Sequence, residues 1–190
     1  ADIAEFGLAP VVLVTVRTWR RDGIGVVHET PNAFPAAITP DDVFKGAAIK
    51  GPVIVYDDEH YFMGGALAER LKMQGHDVTL VTPMATASSW TAVTDEQFFI
   101  QKRLMDVGIK LVLSHSLAGH GPGEVRLTCA YTGSLLRLDC HTLFLVTCRI
   151  PADYLSLSLR GACIKSATPI GACLGSYSFD HGRSTAPRFS

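Results

Sequence analysis

The stretch VIVYDDEHYFMGGALAERL, residues 53–71, begins as a β-branched apolar run and continues with apolar residues at helical spacing. The run predicts a buried strand, and Met63, Leu67 and Leu71 predict one face of a helix that stops at Gly75. DVTLVT, residues 77–82, predicts a second strand. Strand, helix and strand within roughly thirty residues are enough for a parallel crossover. The stretch therefore predicts the strand–turn–helix unit that many nucleotide sites use.

The turn of this unit has the wrong chemistry for a dinucleotide. Asp57, Asp58 and Glu59 stand where glycines would let backbone N–H groups reach a pyrophosphate. Only Gly64 and Gly65 remain as glycines, and no G-x-G-x-x-G passes through them. Each carboxylate would repel a phosphate by about 1–4 kcal/mol at ~4 Å. The next strand ends in Thr82-Pro83 instead of an acid for the ribose, so we expect no dinucleotide in this turn.

The acidic turn has two other interpretations. Asp57 to His60 offer oxygen and nitrogen ligands for a cation, but consecutive side chains diverge and rarely converge on one ion. Acids ahead of a helix are more often caps that complement its positive end. We therefore predict capping, with no metal site.

Elements on either side complete the predicted fold. The predicted elements are a strand at 10–16, a connection over 23–51 with a helical turn after Thr39, a second helix with a Thr94–Gln97 capping box that ends at Gly108, a strand at 109–115, a hairpin from Glu124 turning at Gly133, and a strand at 141–147. The fold class is α/β: a Rossmann-like FAD/NAD(P)-binding-type domain with a parallel sheet plus an antiparallel β-hairpin, and part of a second nucleotide-binding-like lobe.

Other polar residues form no recognisable catalytic motif. His115 and His120 flank a predicted turn, SLAGH, and neither they nor His141 and Ser88-Ser89 have triad or nucleophile-elbow spacing. No catalytic residue is predicted. Trp19-Arg20-Arg21-Asp22 combines an aromatic with cations, so it suits a phosphate or a partner carboxylate, and equally a solvated or interdomain salt-bridge role.

Composition narrows the class of protein. A net charge of −1 with 18% charged residues gives no reason to expect nucleic acid or an anionic membrane as partner. No apolar run is long enough for a membrane span, which predicts a cytoplasmic protein. The five cysteines are irregularly spaced, which favours buried thiols over a metal knuckle. The first residue is not Met, so we expect the chain to begin within a longer protein.

Four segments resemble a known family. TWRRDGIG, ITPDDVFKG, VIVYDDEHYFMGGALAERLKMQGHDVTLVTP and IQKRLMDVGIKLV are similar to the C-terminal region of trimethylamine and dimethylamine dehydrogenases, in the 2,4-dienoyl-CoA reductase group of NADH:flavin oxidoreductases. The resemblance implies a parent enzyme with an N-terminal flavin barrel that carries FMN and an iron–sulfur cluster, with ADP or FAD as a further ligand. The barrel is then the partner of this chain, and the full enzyme is expected to be a homo-oligomer.

The resemblance also implies domains and site residues. Residues 51–139 correspond to an NAD(P)-domain-like unit, and residues 1–50 and 140–190 to two pieces of an FAD-domain-like lobe. Positions matching nucleotide-contacting turns of the family are Thr15, Thr147, Arg149 and Gly171, beside Gly64 and Gly65 of the central unit. Two of these turns lose the family's glycine, as Thr15-Val16-Arg17 and Thr147-Cys148-Arg149, and a third loses its acid at Ala172. No cofactor is expected in this part, whose implied role is structural; the alternative is a working NAD(P)H- or ADP-binding module.

Overall fold

Three sheets and three α-helices make up the part of the chain that can be described. The computed structural model describes residues 17–28, 34 and 36–151. The strands and helices are β1 (Arg17–Trp19), α1 (Pro40–Phe44), β2 (Val53–Asp57), α2 (Phe62–Met73), β3 (Val78–Val81), α3 (Gln97–Asp106), β4 (Lys110–Val112), β5 (His115–Gly121), β6 (Glu124–Cys129), β7 (Leu135–Asp139), β8 (Thr142–Val146) and β9 (Arg149–Pro151), with a 3-10 helix at Ser89–Thr94. No described helix is long and apolar enough to cross a membrane.

A four-stranded parallel sheet forms the centre, in the order β4-β3-β2-β8. β2 pairs with β3 through Val53↔Val78 and with β8 through Val53↔Thr142, and every residue of β2 and β8 is buried. Continuous apolar runs are typical of parallel strands covered on both faces. The predicted strands at 53–57, 77–82 and 141–147 are thus confirmed as one sheet.

Helices α2 and α3 cover one face of this sheet. Val53 and Val55 of β2 pack into a cluster with Leu67, Leu71 and Leu104. The helix predicted from 62 to 75 is confirmed as α2. An antiparallel three-stranded sheet, β5-β6-β7, covers the opposite face, where Ile54 and Tyr56 pack against Leu117, Val125 and Leu127. The alternation along β2 therefore divides its side chains between two apolar layers.

Three details differ from the sequence-based predictions. The Thr94–Gln97 capping box is wrong: Glu96 is the N-cap of α3, and the Thr94 hydroxyl bonds the Glu96 carboxylate and the Thr91 carbonyl instead. The SLAGH turn is also wrong, because His115 to Gly121 form β5, which extends the predicted hairpin into a three-stranded sheet. The strand predicted at 109–115 ends at Val112.

The boundary between 139 and 140 divides the central sheet. β8 pairs with β2 along its whole length, so the predicted boundary separates two paired strands of one sheet. β1 and β9, from the two outer pieces, pair with each other through Trp19↔Arg149. The helical turn predicted after Thr39 is confirmed as α1, whereas the strand predicted at 10–16 lies outside the described residues.

Candidate nucleotide-binding turn

Asp57 ends β2 in a fully buried position at the carboxyl edge of the sheet. Its Oδ1 accepts hydrogen bonds from the backbone N–H groups of Glu59 (3.2 Å) and His60 (3.1 Å), while Oδ2 has no hydrogen-bond partner. Burial raises the pKa of Asp57 to about 7, against the opposing effect of the His60 N–H. The first position of the turn therefore holds a carboxyl group that the protein has removed from water.

Gly64 lets the first turn of α2 come directly against this carboxyl. A Cβ on Gly64 would lie 2.4 Å from Cγ of Asp57, closer than any side chain tolerates. A Cβ on Gly65 would meet nothing nearer than the Ser88 hydroxyl at 3.4 Å. In this structure the space left by the missing side chain of Gly64 is occupied by the Asp57 carboxyl group.

Asp58 receives the chain's own backbone in the same turn. Its Oδ1 accepts from the Val27 N–H and its Oδ2 from the His28 N–H, both at 3.0 Å. A Cβ on Gly25 would lie 2.1 Å from Oδ2 of Asp58, so only glycine fits there. The segment 23–28 is therefore bound across the carboxyl edge of the sheet, where ligands of open α/β sheets sit.

His60 completes the buried polar groups of the turn. Its Nε2 lies 3.0 Å from Asp58 Oδ1, an ion-pair distance without hydrogen-bond alignment, and Nδ1 has no hydrogen-bond partner. The residue has a φ of +66°, in the left-handed region, and its ring meets the Trp90 ring edge-on at 5.8 Å between centroids. The turn is thus filled by protein side chains on this side as well.

Glu59 links the turn to the two-stranded sheet. Its Oε1 accepts from Arg149 at 2.6 Å, and the Arg149 guanidinium lies 4.1 Å from the centre of the Trp19 ring. Burial raises the pKa of Glu59, while Arg149 and the backbone N–H of Met63 oppose that rise. Tyr61, the N-cap residue of α2, makes no side-chain cap. Asp57 and Asp58 bond backbone N–H groups outside α2, so the capping prediction is wrong for these two acids.

The structure brings together most of the described site residues. Gly64 and Gly65 open α2 beside Asp57, and Arg149 reaches Glu59. Thr147 is buried where β8 ends, and its hydroxyl lies 3.5 Å from the Arg20 carbonyl oxygen. Thr15 and Gly171 lie outside the described residues. The sequence analysis did not predict that the segment 23–28 lies against this turn. The glycines at 23 and 25 were the signal in the sequence that a close backbone contact was possible there.

The remaining polar residues have ordinary partners. Nδ1 of His115 contacts the Leu113 carbonyl oxygen and Nδ1 of His141 that of Gly51, both at 2.7 Å. Arg20 pairs with Asp22, and Arg21 with Asp42, so the cations of the Trp19–Asp22 stretch are matched internally beside an open groove of about 490 Å³. Within the described ranges no three His, Cys, Asp or Glu side chains are placed to hold a metal ion.

The thiols are only partly buried. Cys140 is buried, and burial raises its pKa to about 11, while Cys129 and Cys148 are half-buried; none of these three forms a disulfide within the described part of the chain. Cys163 and Cys173 lie outside the described residues.

A parallel sheet between two helices and a small antiparallel sheet defines the class of protein: a Rossmann-like α/β domain of the nucleotide-binding type. The water-forming NADH oxidase of Lactobacillus brevis shares the fold, with a TM-score of 0.50 at 16% identity over 77% of this chain and 31% of that chain.

The particular family follows from closer matches. Residues 38–131 match the family model of the OYE-like second alpha/beta domain. The chain is 26% identical to dimethylamine dehydrogenase of Hyphomicrobium sp. (strain x), over 84% of this chain and 25% of that protein. Histamine dehydrogenase from Rhizobium sp. 4-9 superposes with a TM-score of 0.71 at 36% identity, over 77% of this chain and 24% of that chain. The 6-hydroxypseudooxynicotine amine oxidase of Pseudomonas geniculata N1 superposes with a TM-score of 0.72 at 30% identity, over 77% of this chain and 23% of that chain.

These matches confirm the resemblance to the C-terminal region of trimethylamine dehydrogenase-like flavoproteins. The chain carries a flavin-dependent amine dehydrogenase-like domain, and it spans about a quarter of the length of the relatives it matches.

Proposed function

We propose that this chain is an accessory domain of a flavin-dependent amine dehydrogenase. The chemistry, oxidation of a secondary or tertiary methylamine by FMN with electrons leaving through an iron–sulfur cluster, resides in a barrel elsewhere in the longer protein. The domain contributes structure and interdomain contacts and holds no dinucleotide in its β2–α2 turn. Isolated, it is inactive.

One observation carries this proposal: the turn already contains its own anions. A dinucleotide phosphate binds through backbone N–H groups and the start of a helix. Here Asp57 takes the N–H groups of Glu59 and His60, and Asp58 takes those of the segment 23–28. A phosphate would have to displace bound backbone and approach at least two carboxylates, which costs energy in both steps.

The second candidate is a working NAD(P)H- or ADP-binding module. One observation favours it: burial raises the pKa of Asp57 to about 7, so this carboxyl carries less negative charge at neutral pH than an exposed acid does. In that case Gly64 and Gly65 would contact the ligand of the central unit. Thr15, Thr147, Arg149 and Gly171 are then the positions we propose for ADP or FAD in the outer lobe.

Thermal unfolding with ADP, NADH and FAD separates the two candidates. A ligand at ~100 times its dissociation constant adds about 2.7 kcal/mol to the free energy of unfolding, which raises Tm by roughly 5–10 °C for a chain of this size. We expect no rise with any of the three. A rise with NADH that disappears in Gly65→Ala, whose added methyl group lies 3.4 Å from the Ser88 hydroxyl, and persists in the control Met73→Ala at the exposed end of α2, would establish the module instead.

A further inference from the structure

Six exposed apolar side chains lie on the residues that begin α2 and α3 and on the 3-10 helix that precedes α3. Val93 is 90% exposed, Phe98 and Phe99 are each 68% exposed, and Trp90, Tyr61 and Phe62 are all more than one-third exposed. We call this set the aromatic surface: Tyr61, Phe62, Trp90, Val93, Phe98 and Phe99. Other large exposed apolar residues lie elsewhere: Phe44 in α1, Tyr131 between β6 and β7, and Met73 at the opposite end of α2.

Contacts between neighbouring segments hold the aromatic surface together. The Trp90 N–H donates to the His60 carbonyl at 3.0 Å, which fixes the 3-10 helix to the start of α2. The Tyr61 and Phe62 rings meet edge-on at 4.4 Å between centroids, and the Phe98 and Phe99 rings at 5.7 Å. The 3-10 helix leads within two residues into α3, so the six side chains belong to one end of the helical layer.

Hydrogen bonds beneath the surface fix its shape. The Gln97 side-chain amide donates to the Ala87 carbonyl, and the Ala87 N–H donates to the Gln101 side chain, both at 3.1 Å. The Thr91 hydroxyl donates to the Ser88 carbonyl at 2.7 Å. Rigid aromatic side chains lose little conformational entropy when covered, which is why they are enriched among the residues that dominate protein interfaces.

The chemistry of the aromatic surface and the length of the relatives indicate what binds to it. None of the six side chains is charged, so the matching face is apolar protein and not an anionic ligand. The chain covers only 23–25% of its relatives, which leaves about three quarters of such a protein to pack elsewhere. We propose that the aromatic surface docks against an apolar face of the rest of the same longer polypeptide; this rests on the proposed function, in which that part contains the flavin barrel.

Radical footprinting of the unmodified full-length protein tests the docking. Hydroxyl radicals modify exposed aromatic rings, and mass spectrometry locates them. We expect Trp90, Phe98 and Phe99 to be modified at least ten-fold more slowly than Tyr131, which is 80% exposed on the antiparallel side. Equal protection factors, after correction for intrinsic reactivity, would overturn the proposal.

Single cysteine substitutions give an independent measurement. Val93→Cys and Phe99→Cys in the full-length protein should react with maleimide at least ten-fold more slowly than Met73→Cys, at the other end of α2, where the side chain is 77% exposed. Protection that is lost on dilution, in step with dissociation of a dimer seen by analytical ultracentrifugation, would assign the surface to a second copy and overturn the proposal. Flavin absorbance of the same preparation is the separate readout: protection without bound flavin supports the docking but contradicts the proposed function.

Discussion

At the residue scale, the three carboxylates of the acidic turn bind groups of the protein itself. Asp57, Asp58 and Glu59 each take a different set of donors: the turn's own backbone, the segment 23–28, and Arg149. The sequence correctly indicates an unfavourable charge for phosphate. It does not indicate which donors neutralise these carboxylates, because Val27 and His28 are about thirty residues away in the chain and their approach depends on tertiary packing.

Asp57 makes the stability of the fold depend on pH. Burial raises its pKa to about 7 in the folded protein, and the groups facing it are Glu59 and His60. Since the folded pKa is above the unfolded one, the contribution of Asp57 is fully present below pH ~4 and is lost as the pH rises to about 7. We expect Asp57→Asn, which keeps an oxygen for the Glu59 and His60 N–H groups, to gain stability relative to wild type by a few kcal/mol across that window.

Urea unfolding of both proteins at pH 4, 5.5 and 7 measures this difference. Asp77→Asn is the matched control, because Asp77 is exposed and pairs only with Lys110 at 3.2 Å. Its difference from wild type should stay within about 0.5 kcal/mol at all three values. A difference between wild type and Asp57→Asn that does not change with pH would mean that the Asp57 carboxyl is not desolvated.

At the element scale, the sequence predicts the repeating parts and fails at the irregular ones. The β2–α2–β3 unit and the β6–β7 hairpin follow from apolar periodicity, since each element buries one regular face. The Thr94–Gln97 spacing matches a capping box, but Thr94 is the last residue of a 3-10 helix whose C-cap, Asp95, has a φ of +59°. β5 was not predicted because the small residues Ala118 and Gly119 hide the alternation of apolar and polar side chains that indicates a strand. The register with β6 also shifts between Leu117 and Gly119.

The segment 23–28 is bound to the sheet through Asp58, which makes a second prediction. In Asp58→Ala the Val27 and His28 N–H groups lose their acceptors, and the loss of two charge-assisted hydrogen bonds should lower the free energy of unfolding by about 2–5 kcal/mol. Amide hydrogen exchange should accelerate at least ten-fold at Val27 and His28.

Val26 provides an internal control for this measurement. Its N–H donates to the backbone carbonyl of Asp58 at 3.0 Å, an acceptor that the substitution leaves in place. Its exchange should change less than that of its two neighbours. If Val27 and His28 retain their protection in Asp58→Ala, side-chain bonding does not hold the segment, and the closed turn depends on packing around Gly25.

At the scale of the whole molecule, Arg149 joins the two-stranded sheet to the parallel one. It lies in β9, stacks on Trp19 of the paired β1, and donates to Glu59 in the turn after β2. The family resemblance identified Arg149 as a nucleotide-contacting position. In the folded chain its guanidinium binds protein groups on both sides, which supports the proposed structural role of the domain.

A double-mutant cycle on Glu59 and Arg149 measures how strongly the sheets are joined. The Glu59 side chain is 19% exposed and that of Arg149 35%, so we expect a coupling free energy of about 1 kcal/mol from Glu59→Gln and Arg149→Ala. The control pair, Glu124 and Arg137, is similar in geometry but has exposures of 39% and 65%, and should couple by less than about 0.5 kcal/mol because water screens it. Arg149→Lys keeps the charge but lacks the planar group over Trp19, so it should recover only part of the loss. Equal coupling in the two pairs would show that Arg149 is an ordinary surface cation and that the two sheets associate without it.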